Sequence, residues 1–367
     1  VRSSAASDVY KRQLQECMED GALGISYGLQ YPAGCYAGSS ELAVLSSVAA
    51  RFGGITSAHI RSEGDQLVES VTEMIQATAQ SNCTLVISHH KAINRQNWGK
   101  TAATISLIRE ANQQGHSVYC DVYPYTASST GLKSRIPQSM HVLGEEKLLQ
   151  MLSDPSDRGK MRNAILAGMT PEERFGTTMF GASVTHPDYT GQMVCDLASR
   201  LGLDPCELVM DVLYDDRLTT NGIYHCMQDE DVNRVLQFSH SMIGSDGLYY
   251  KGCSGAHPRA FGTFTRVLGH YVREKNVLSL EEAVRKMTSL PASVYQLKGK
   301  GLIRPGMDAD LVLFDPHTVS DQADFTDFSK RGTGIEMVWI QGEKIVEHGI
   351  YNGVKAGKLI RHVPHIS

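Results

Sequence analysis

The sequence has no uninterrupted apolar run of about 18 residues and no secretory apolar segment, so it predicts no membrane-spanning helix. Its eight cysteines form no CxxC pair and follow no regular spacing. Several of them lie inside apolar runs, which is typical of buried thiols in a reducing compartment and predicts a cytoplasmic protein. Lysines and arginines are scattered rather than clustered and the net charge is −5, so nothing supports a nucleic-acid partner.

The composition is that of an ordinary globular protein, with 41% hydrophobic and 20% charged residues in a chain of 367. A chain of this length allows one large α/β domain with additions, or two domains. Residues 1–13 have no apolar periodicity and resemble a translated cloning adapter, so we expect a non-native or disordered leader there. A helix is expected to begin at Leu14. The composition leaves the oligomeric state open.

Strand-like segments recur near residues 25, 57, 87 and 120, with one helical segment between each pair. This spacing of about 30 residues is typical of a (β/α) barrel or a doubly wound sheet. The pattern breaks between about 131 and 238, where helical segments dominate with one strand-like run. We interpret that part as an insertion or small cap over the barrel mouth. The strand pattern resumes with a segment that ends at Asp246.

Two of the strand-like segments each end in a histidine, His59 and His89, and a helical segment over Asp65–Ala79 separates them. Such a strand–helix–strand unit is parallel, so both strands end at the same edge of the sheet. In a barrel that edge carries the active site, and two imidazoles that converge there predict a metal ion, most commonly zinc. The alternative is that each histidine is a hydrogen-bonded structural residue at a strand end.

The last part of the sequence replaces the strand–helix pattern first by helices and then by β-hairpins. Helices are predicted over about Thr263–Lys275 and Ser279–Thr288, the second with Ser279 as its N-cap. Residues 301–367 instead contain hairpin patterns with turns at Gly306 and Gly342. This pattern predicts a small β unit packed beside the barrel.

Seven sequence motifs occur in the order GALGISYGLQYPAG, SAHIRSEGD, ISHHK, DVYPYTASST, MIGSDG, HPRAFGTFTRVLG and KGLIRPGMDADLVLFDP. Together they resemble the N-acyl-D-amino-acid deacylases (D-aminoacylases) of the amidohydrolase superfamily, which are metal-dependent TIM-barrel hydrolases. The resemblance extends from about residue 14 to residue 362. It implies an α/β fold with a partial TIM-type (β/α) barrel, about strands 4–8, formed by residues 14–300. It also implies that the insertion interrupts this barrel and that residues 301–367 form a small C-terminal β-sandwich portion.

The resemblance implies zinc-dependent hydrolysis of the amide bond of N-acyl-D-amino acids, which gives a carboxylate and a free D-amino acid. It implies His59 and His89 as zinc ligands and Asp246 as the catalytic acid/base. The chemistry agrees, because a metal lowers the pKa of bound water to about 7 and a nearby carboxylate can carry the proton to the leaving amine. The alternative for Asp246 is a turn residue in a Ser-Asp-Gly sequence.

The resemblance also implies a substrate site. Lys91, Tyr123 and Ser129 would hold the free carboxylate of the substrate, and Tyr31 would line the pocket. Ammonium and hydroxyl donors are what a carboxylate requires. Met227 matches a position that can contact the substrate side chain, and its thioether would suit apolar residues such as D-Leu or D-Met. The structural alternatives are a solvated loop for Lys91 and packing roles for Tyr123 and Met227.

Several charged or ring-bearing neighbours of these motifs are not counted as ligands, among them His90, which should point away from His89 on a strand. The others are Arg61, Glu63, His257 and Arg259.

The sequence departs from the family pattern because it contains no His-x-His pair, and its first barrel-like strand matches the fourth of the family. We therefore expect an N-terminally truncated polypeptide that is itself inactive, with a parent protein that is a deacylase.

The sequence is also compatible with two rival functions. A cyclic-amide hydrolase of the dihydroorotase or hydantoinase kind uses a bridging carboxylated lysine on an earlier strand, which Lys91 cannot replace. A non-catalytic scaffold that has lost its metal is the other rival. The combination of SAHIR, ISHHK and GSDG argues against it, because a scaffold has no physical need for all three polar strand ends.

Overall fold

A computed structural model describes residues 4–170, 174–248 and 257–363, with side chains from residue 8 onward. The strands are β1 Gly24–Gly28, β2 Ile55–His59, β3 Thr84–Ile87, β4 Val118–Val122, β5 Ser128–Gly131, β6 Thr178–Phe180, β7 Asn221–Tyr224, β8 Ser241–Ile243, β9 Leu311–Phe314, β10 Ile335–Ile340, β11 Glu343–Glu347 and β12 Ile350–Tyr351. The α-helices are α1 Ser4–Glu19, α2 Ser39–Arg51, α3 Leu67–Ala79, α4 Thr101–Gln113, α5 Gln138–His141, α6 Glu145–Ser153, α7 Pro155–Ala167, α8 Val194–Leu201, α9 Pro205–Asp215, α10 Asp229–Gln237, α11 Arg259–Arg266, α12 Leu280–Met287 and α13 Ser289–Val294.

A five-stranded parallel sheet with the order β1-β2-β3-β4-β8 forms the centre of the protein. Helices α2, α3 and α4 connect its first four strands in turn. Since all five strands run in the same direction, their carboxyl ends meet at one edge. The prediction of an α/β fold built on a repeated strand–helix unit is confirmed.

The main core lies between this sheet and its helices. In α3 the apolar residues Leu67, Val71 and Met74 recur at three- to four-residue spacing and are fully buried. In β3 the consecutive residues Leu85, Val86 and Ile87 are also fully buried. A strand that is apolar on both faces belongs inside a sheet covered on both sides.

The insertion forms a separate body between β4 and β8. It contains a three-stranded antiparallel sheet in the order β5-β7-β6 together with helices α5 to α9. These elements enclose their own apolar core, whose members include Phe175, Phe180, Met161, Leu197 and Leu213. Strand β6 was predicted from sequence, whereas the short polar strands β5 (SSTG) and β7 (NGIY) were missed.

The chain ends in an antiparallel sheet with the order β12-β11-β10-β9. The predicted turn at Gly342 connects β10 to β11, and its φ of +81° explains why glycine occupies it. The sheet is only partly covered, since Val312 and Ile350 are exposed.

Three helical predictions can be compared with the structure. Helix α1 begins at Ser4 and therefore includes part of the predicted leader, so the expected start at Leu14 was too late. The helix predicted over Thr263–Lys275 is instead α11 followed by a π-helical segment, Val267–Glu274. The N-cap at Ser279 is confirmed, because its hydroxyl accepts the backbone N–H of Glu282. In the described ranges, no helix is both long and apolar enough to cross a membrane.

A buried lysine lies at the amino-terminal edge of the parallel sheet. His59 and Asp246 lie at the opposite, carboxyl edge. The side chain of Lys286, in α12, is 0% exposed. Its ammonium donates to the carbonyl oxygen of Phe238 and, at 3.0 Å, to that of Ser241, which begins β8. Lys286 is therefore a buried donor for both carbonyls, of which that of Phe238 also accepts the N–H of Ser241 at 3.0 Å.

Replacing Lys286 with methionine keeps the aliphatic volume but removes the ammonium that donates to the Ser241 carbonyl, and it leaves the Phe238 carbonyl with the N–H of Ser241 alone. We expect the free energy of unfolding, measured by urea titration, to fall by about 2–3 kcal/mol. Lys275 is exposed, so the matched variant Lys275→Met should change it by less than about 0.5 kcal/mol. Equal stability of the two variants would show that Lys286 does not support the sheet.

Candidate active site

A cavity of about 490 Å³ opens at the carboxyl edge of the parallel sheet. Seven of the eight residues predicted from sequence as site residues lie on its wall, namely Tyr31, His59, His89, Lys91, Tyr123, Ser129 and Asp246. They come from the ends of β1, β2, β3, β4 and β8 and from β5. The parallel sheet and the insertion therefore both contribute to one site.

Two histidines face each other in this cavity. His59 is the last residue of β2, and His89 follows the end of β3 by two residues. The Nδ1 atom of His59 lies 2.8 Å from the Nε2 atom of His89. The outer nitrogen of each ring also has a partner: Gln30 Oε1 lies 2.6 Å from His59 Nε2, and Glu63 Oε1 lies 2.9 Å from His89 Nδ1.

The hydrogen bonds of this pair suit a metal ion. Gln30 Oε1 is an acceptor, so Nε2 of His59 carries a proton and its inner Nδ1 presents a lone pair. The Nδ1 atom of His89 lies between an acceptor, Glu63 Oε1, and a donor, Lys91 Nζ, which is 2.8 Å away. The inner nitrogens of the two rings therefore either share one proton across 2.8 Å or bind one cation. Outer hydrogen bonds of this type are what orient metal-binding histidines.

The charge state of the first histidine agrees with this role. Burial lowers the pKa of His59 to about 4, so the ring is neutral at pH 7, the form that binds metals. Ligand atoms of His59, His89 and Glu63 all lie within 4.8 Å of one another. Two imidazoles are donors that zinc accepts, and the carboxylate of Asp246 lines the same cavity, so the residues present fit zinc.

Glu63 is a functional candidate that sequence reasoning passed over. Its buried carboxylate lies 2.5 Å from the ammonium of Lys91. Burial alone would raise the pKa of Glu63, but the positive charge of Lys91 and the contact with His89 hold it well below its usual value. The carboxylate is therefore ionised and fixes both Lys91 and the outer nitrogen of His89. The available signal was an acid four residues after His59 in SAHIRSE.

Asp246 lies at the same cavity, just beyond the end of β8. Its Oδ2 atom is 2.9 Å from Nη2 of Arg259, a residue that the sequence reasoning did not count as functional. The negative charge of Asp246 also acts on His59, whose pKa it shifts upward against the larger effect of burial. The structure thus brings the predicted acid/base to the cavity of the two histidines and pairs it with an arginine.

Tyr123 forms a wall of the cavity between two cations. The ammonium of Lys91 and the guanidinium of Arg259 lie 5.4 and 4.7 Å from the centre of its ring. Burial raises the pKa of Tyr123 well above its usual value, so its hydroxyl remains a donor. That hydroxyl contacts the sulfur of Met227 at 3.8 Å. Met227 is 7% exposed and lies behind Tyr123, outside the described wall of the cavity.

The remaining predicted residues occupy the rim. The ring of Tyr31 lies 4.9 Å from that of His59, and its hydroxyl is 3.1 Å from the Oγ1 atom of Thr130. The backbone oxygen of Ser129 accepts a hydrogen bond of 3.3 Å from Arg259.

His90 points away from the cavity into the core. It is 1% exposed, and its Nε2 atom lies 2.7 Å from the hydroxyl of Thr104. This geometry agrees with its exclusion as a metal ligand.

Comparisons with known proteins identify relatives of the chain. The profile of the amidohydrolase family matches residues 142–346. The chain is 37% identical to an N-acyl-D-glutamate deacylase of Alcaligenes xylosoxydans xylosoxydans over 90% of its own length and 59% of the relative. It is 34% identical to a D-aminoacylase of the same organism over 94% of its length and 63% of the relative. The chain thus spans about three fifths of the length of these relatives.

A solved structure agrees with these matches. The N-acyl-D-glutamate deacylase of Bordetella bronchiseptica, determined with zinc and a phosphonate inhibitor that mimics the tetrahedral intermediate, is 33% identical to the chain with a TM-score of 0.81. The match covers 98% of this chain and 67% of that protein.

The burial of His90 predicts a pH dependence of stability. Burial lowers the pKa of His90 to about 4, whereas an unfolded chain protonates histidine near pH 6.5. The neutral ring therefore stabilises the fold above pH 6.5, and this contribution is lost as the pH falls toward 4. Between pH 7 and 4.5, wild type should lose about 2 kcal/mol more unfolding free energy than His90→Gln.

Urea titrations at several pH values would measure this difference. The exposed control His317→Gln should follow wild type at every pH. A constant gap between wild type and His90→Gln across this pH range would contradict the prediction.

Proposed function

Because this chain belongs to the amidohydrolase family, among its N-acyl-D-amino-acid deacylases, we propose that its cavity serves the hydrolysis of N-acyl-D-amino acids to a carboxylate and a free D-amino acid. The observation that carries the proposal is the pair of inward-facing nitrogens of His59 and His89, 2.8 Å apart, in one cavity with the carboxylate of Asp246. A cytoplasmic location and a small-molecule partner belong to the same proposal.

His59 Nδ1 and His89 Nε2 are the atoms that would hold zinc. When bound, zinc lowers the pKa of water to about 7 and so supplies a nucleophile at neutral pH. Gln30 and Glu63 contact the outer nitrogens of the two rings and so orient them.

Asp246 is the proposed general acid/base. Its carboxylate accepts the proton of the attacking water and delivers it to the amide nitrogen, so that the amine leaves uncharged. Arg259 pairs with the same carboxylate at 2.9 Å and orients it in the cavity.

The α-carboxylate of the substrate would bind to Lys91, Tyr123 and Ser129. Among the described residues, the hydroxyl of Tyr123 contacts the sulfur of Met227, a weak acceptor, and a carboxylate is a much better one. Met227 therefore contacts Tyr123 and not the cavity. The structure thus gives no support to the predicted preference for apolar substrate side chains such as D-Leu or D-Met.

Arg135 favours an acidic side chain on the substrate. It lies on the cavity wall, and no carboxylate pairs with it among the described residues. Its Nη2 atom donates to the Thr178 hydroxyl at 2.9 Å, its guanidinium lies 4.3 Å from the ring centre of Tyr224, and its buried Nε has no partner. A second carboxylate would satisfy that nitrogen and pair the charge. We therefore place D-Glu and D-Asp derivatives first.

No observation favours the cyclic-amide alternative. The ammonium of Lys91 is held by Glu63 and therefore does not serve as a bridging carboxylated lysine.

Removing either inner nitrogen should remove zinc binding. Titration of the purified metal-free chain with zinc against a chromophoric chelator should show affinity at least about 100-fold weaker in His59→Ala and His89→Ala than in wild type. The exposed control His317→Ala should bind as wild type does. Undiminished zinc affinity in both histidine variants would exclude this pair as the metal site.

Replacing Arg135 with glutamine should change the choice of ligand. In calorimetric titrations of the zinc-loaded protein, affinity for N-acetyl-D-glutamate should fall at least about 10-fold, while affinity for N-acetyl-D-leucine changes by less than about 3-fold. Equal losses for both ligands would exclude Arg135 as the side-chain site. Hydrolysis of hydantoin without any release of D-amino acid would contradict the proposed function itself.

A further inference from the structure

The backbone that follows β3 leaves the extended conformation at His89. The N–H of Ser88 still donates to the carbonyl of Ala58 on β2, at 2.9 Å. At His89, φ becomes +39°, which is left-handed and which residues with a side chain adopt only when their surroundings hold them there. This turn aims the imidazole of His89 at His59.

Asp121, in β4, accepts the backbone N–H groups of the next two residues of this turn, His89 and His90. The Oδ1 atom of Asp121 accepts the N–H of His89 at 2.7 Å, and its backbone oxygen accepts the N–H of His90 at 2.7 Å. A side-chain oxygen of Asp121 thus takes the place of the carbonyl that a continuing ladder would offer.

The same carboxylate packs against the end of β8. A Cβ atom added at Gly244 would lie 3.0 Å from the Oδ1 atom of Asp121, so a side chain there would press on it. The N–H of Gly244 donates to the carbonyl of Val122, the residue after Asp121, at 3.1 Å. Asp121 therefore lies between the strand ends that lead to His89 and to Asp246.

We propose that Asp121 is a positioning residue for the metal site, because its carboxylate holds the backbone of His89 in the left-handed turn that directs the imidazole toward His59. The proposal rests on the proposed function in so far as this pair of histidines binds zinc. Asp121 acts through His89, since it lies outside both the cavity wall and the group of candidate ligands in the described part of the chain.

The test compares variants that differ in the acceptor they offer. Asp121→Ala removes the acceptor, whereas Asp121→Asn keeps an oxygen of the same size and position. Asp216 supplies a matched control in the insertion, because its buried carboxylate also accepts backbone amides, from Val184 at 3.3 Å and Thr185 at 2.7 Å. Asp216→Ala should lower the unfolding midpoint without changing zinc affinity.

Zinc affinity is measured by chelator competition on the full chain, and the ring nitrogens of His59 and His89 by nitrogen-15 NMR without metal. Asp121→Ala should weaken zinc binding about 10- to 100-fold and replace the fixed ring tautomers by averaged signals. Asp121→Asn should restore both to within about 3-fold of wild type. If Asp121→Ala does not fold, Gly244→Ala, which presses on the carboxylate, should weaken zinc binding several-fold.

The outcomes separate this proposal from the proposed function. If Asp121→Ala loses stability but keeps wild-type zinc affinity and fixed ring signals, Asp121 has only a structural role and the proposal is wrong. The same holds if Asp121→Ala does not fold and Gly244→Ala binds zinc as wild type does. If wild type binds no zinc but its fixed ring signals are lost in Asp121→Ala, the positioning role stands and the metal site fails.

Discussion

The parallel pairing of β2 with β3 is the constraint on which the candidate site depends. Their register, with Ala58 opposite Ile87, places His59 and His89 just beyond the last paired residues. The two rings then meet edge to face with centres 4.5 Å apart. Because side chains alternate along a strand, a slip of one residue would turn one histidine to the other face of the sheet. The helices and the core serve to hold this register.

Around the two imidazole rings the cavity arranges charges in pairs. Lys91 is paired with Glu63, and Asp246 with Arg259, so each functional charge has an internal partner. These ion pairs orient the charged groups on the cavity wall. Arg135 differs from them, because among the described residues no carboxylate pairs with it. A ligand with two negative charges therefore matches the cavity better than a neutral one.

The sequence predicted the parts of this site that follow local patterns. The strand–helix repeat placed His59 and His89 at one edge and Asp246 at the end of a later strand, whereas the acid/base role of Asp246 was implied by the family resemblance. Contacts between distant segments were not predictable in this way. Glu63 and Arg259 stand beside the motifs, but their roles depend on partners 28 and 13 residues away, Lys91 and Asp246. The strands β5 and β7 were missed because short polar segments become strands only through pairing.

The most direct measurement of the central claim is a crystal structure of the zinc-soaked protein with data collected at the zinc absorption edge. If zinc binds between the two histidines, we expect an anomalous peak within bonding distance of His59 Nδ1 and His89 Nε2, on the side of the cavity that Asp246 faces. A peak elsewhere on the protein, or none while the two rings keep their present contact, would contradict it.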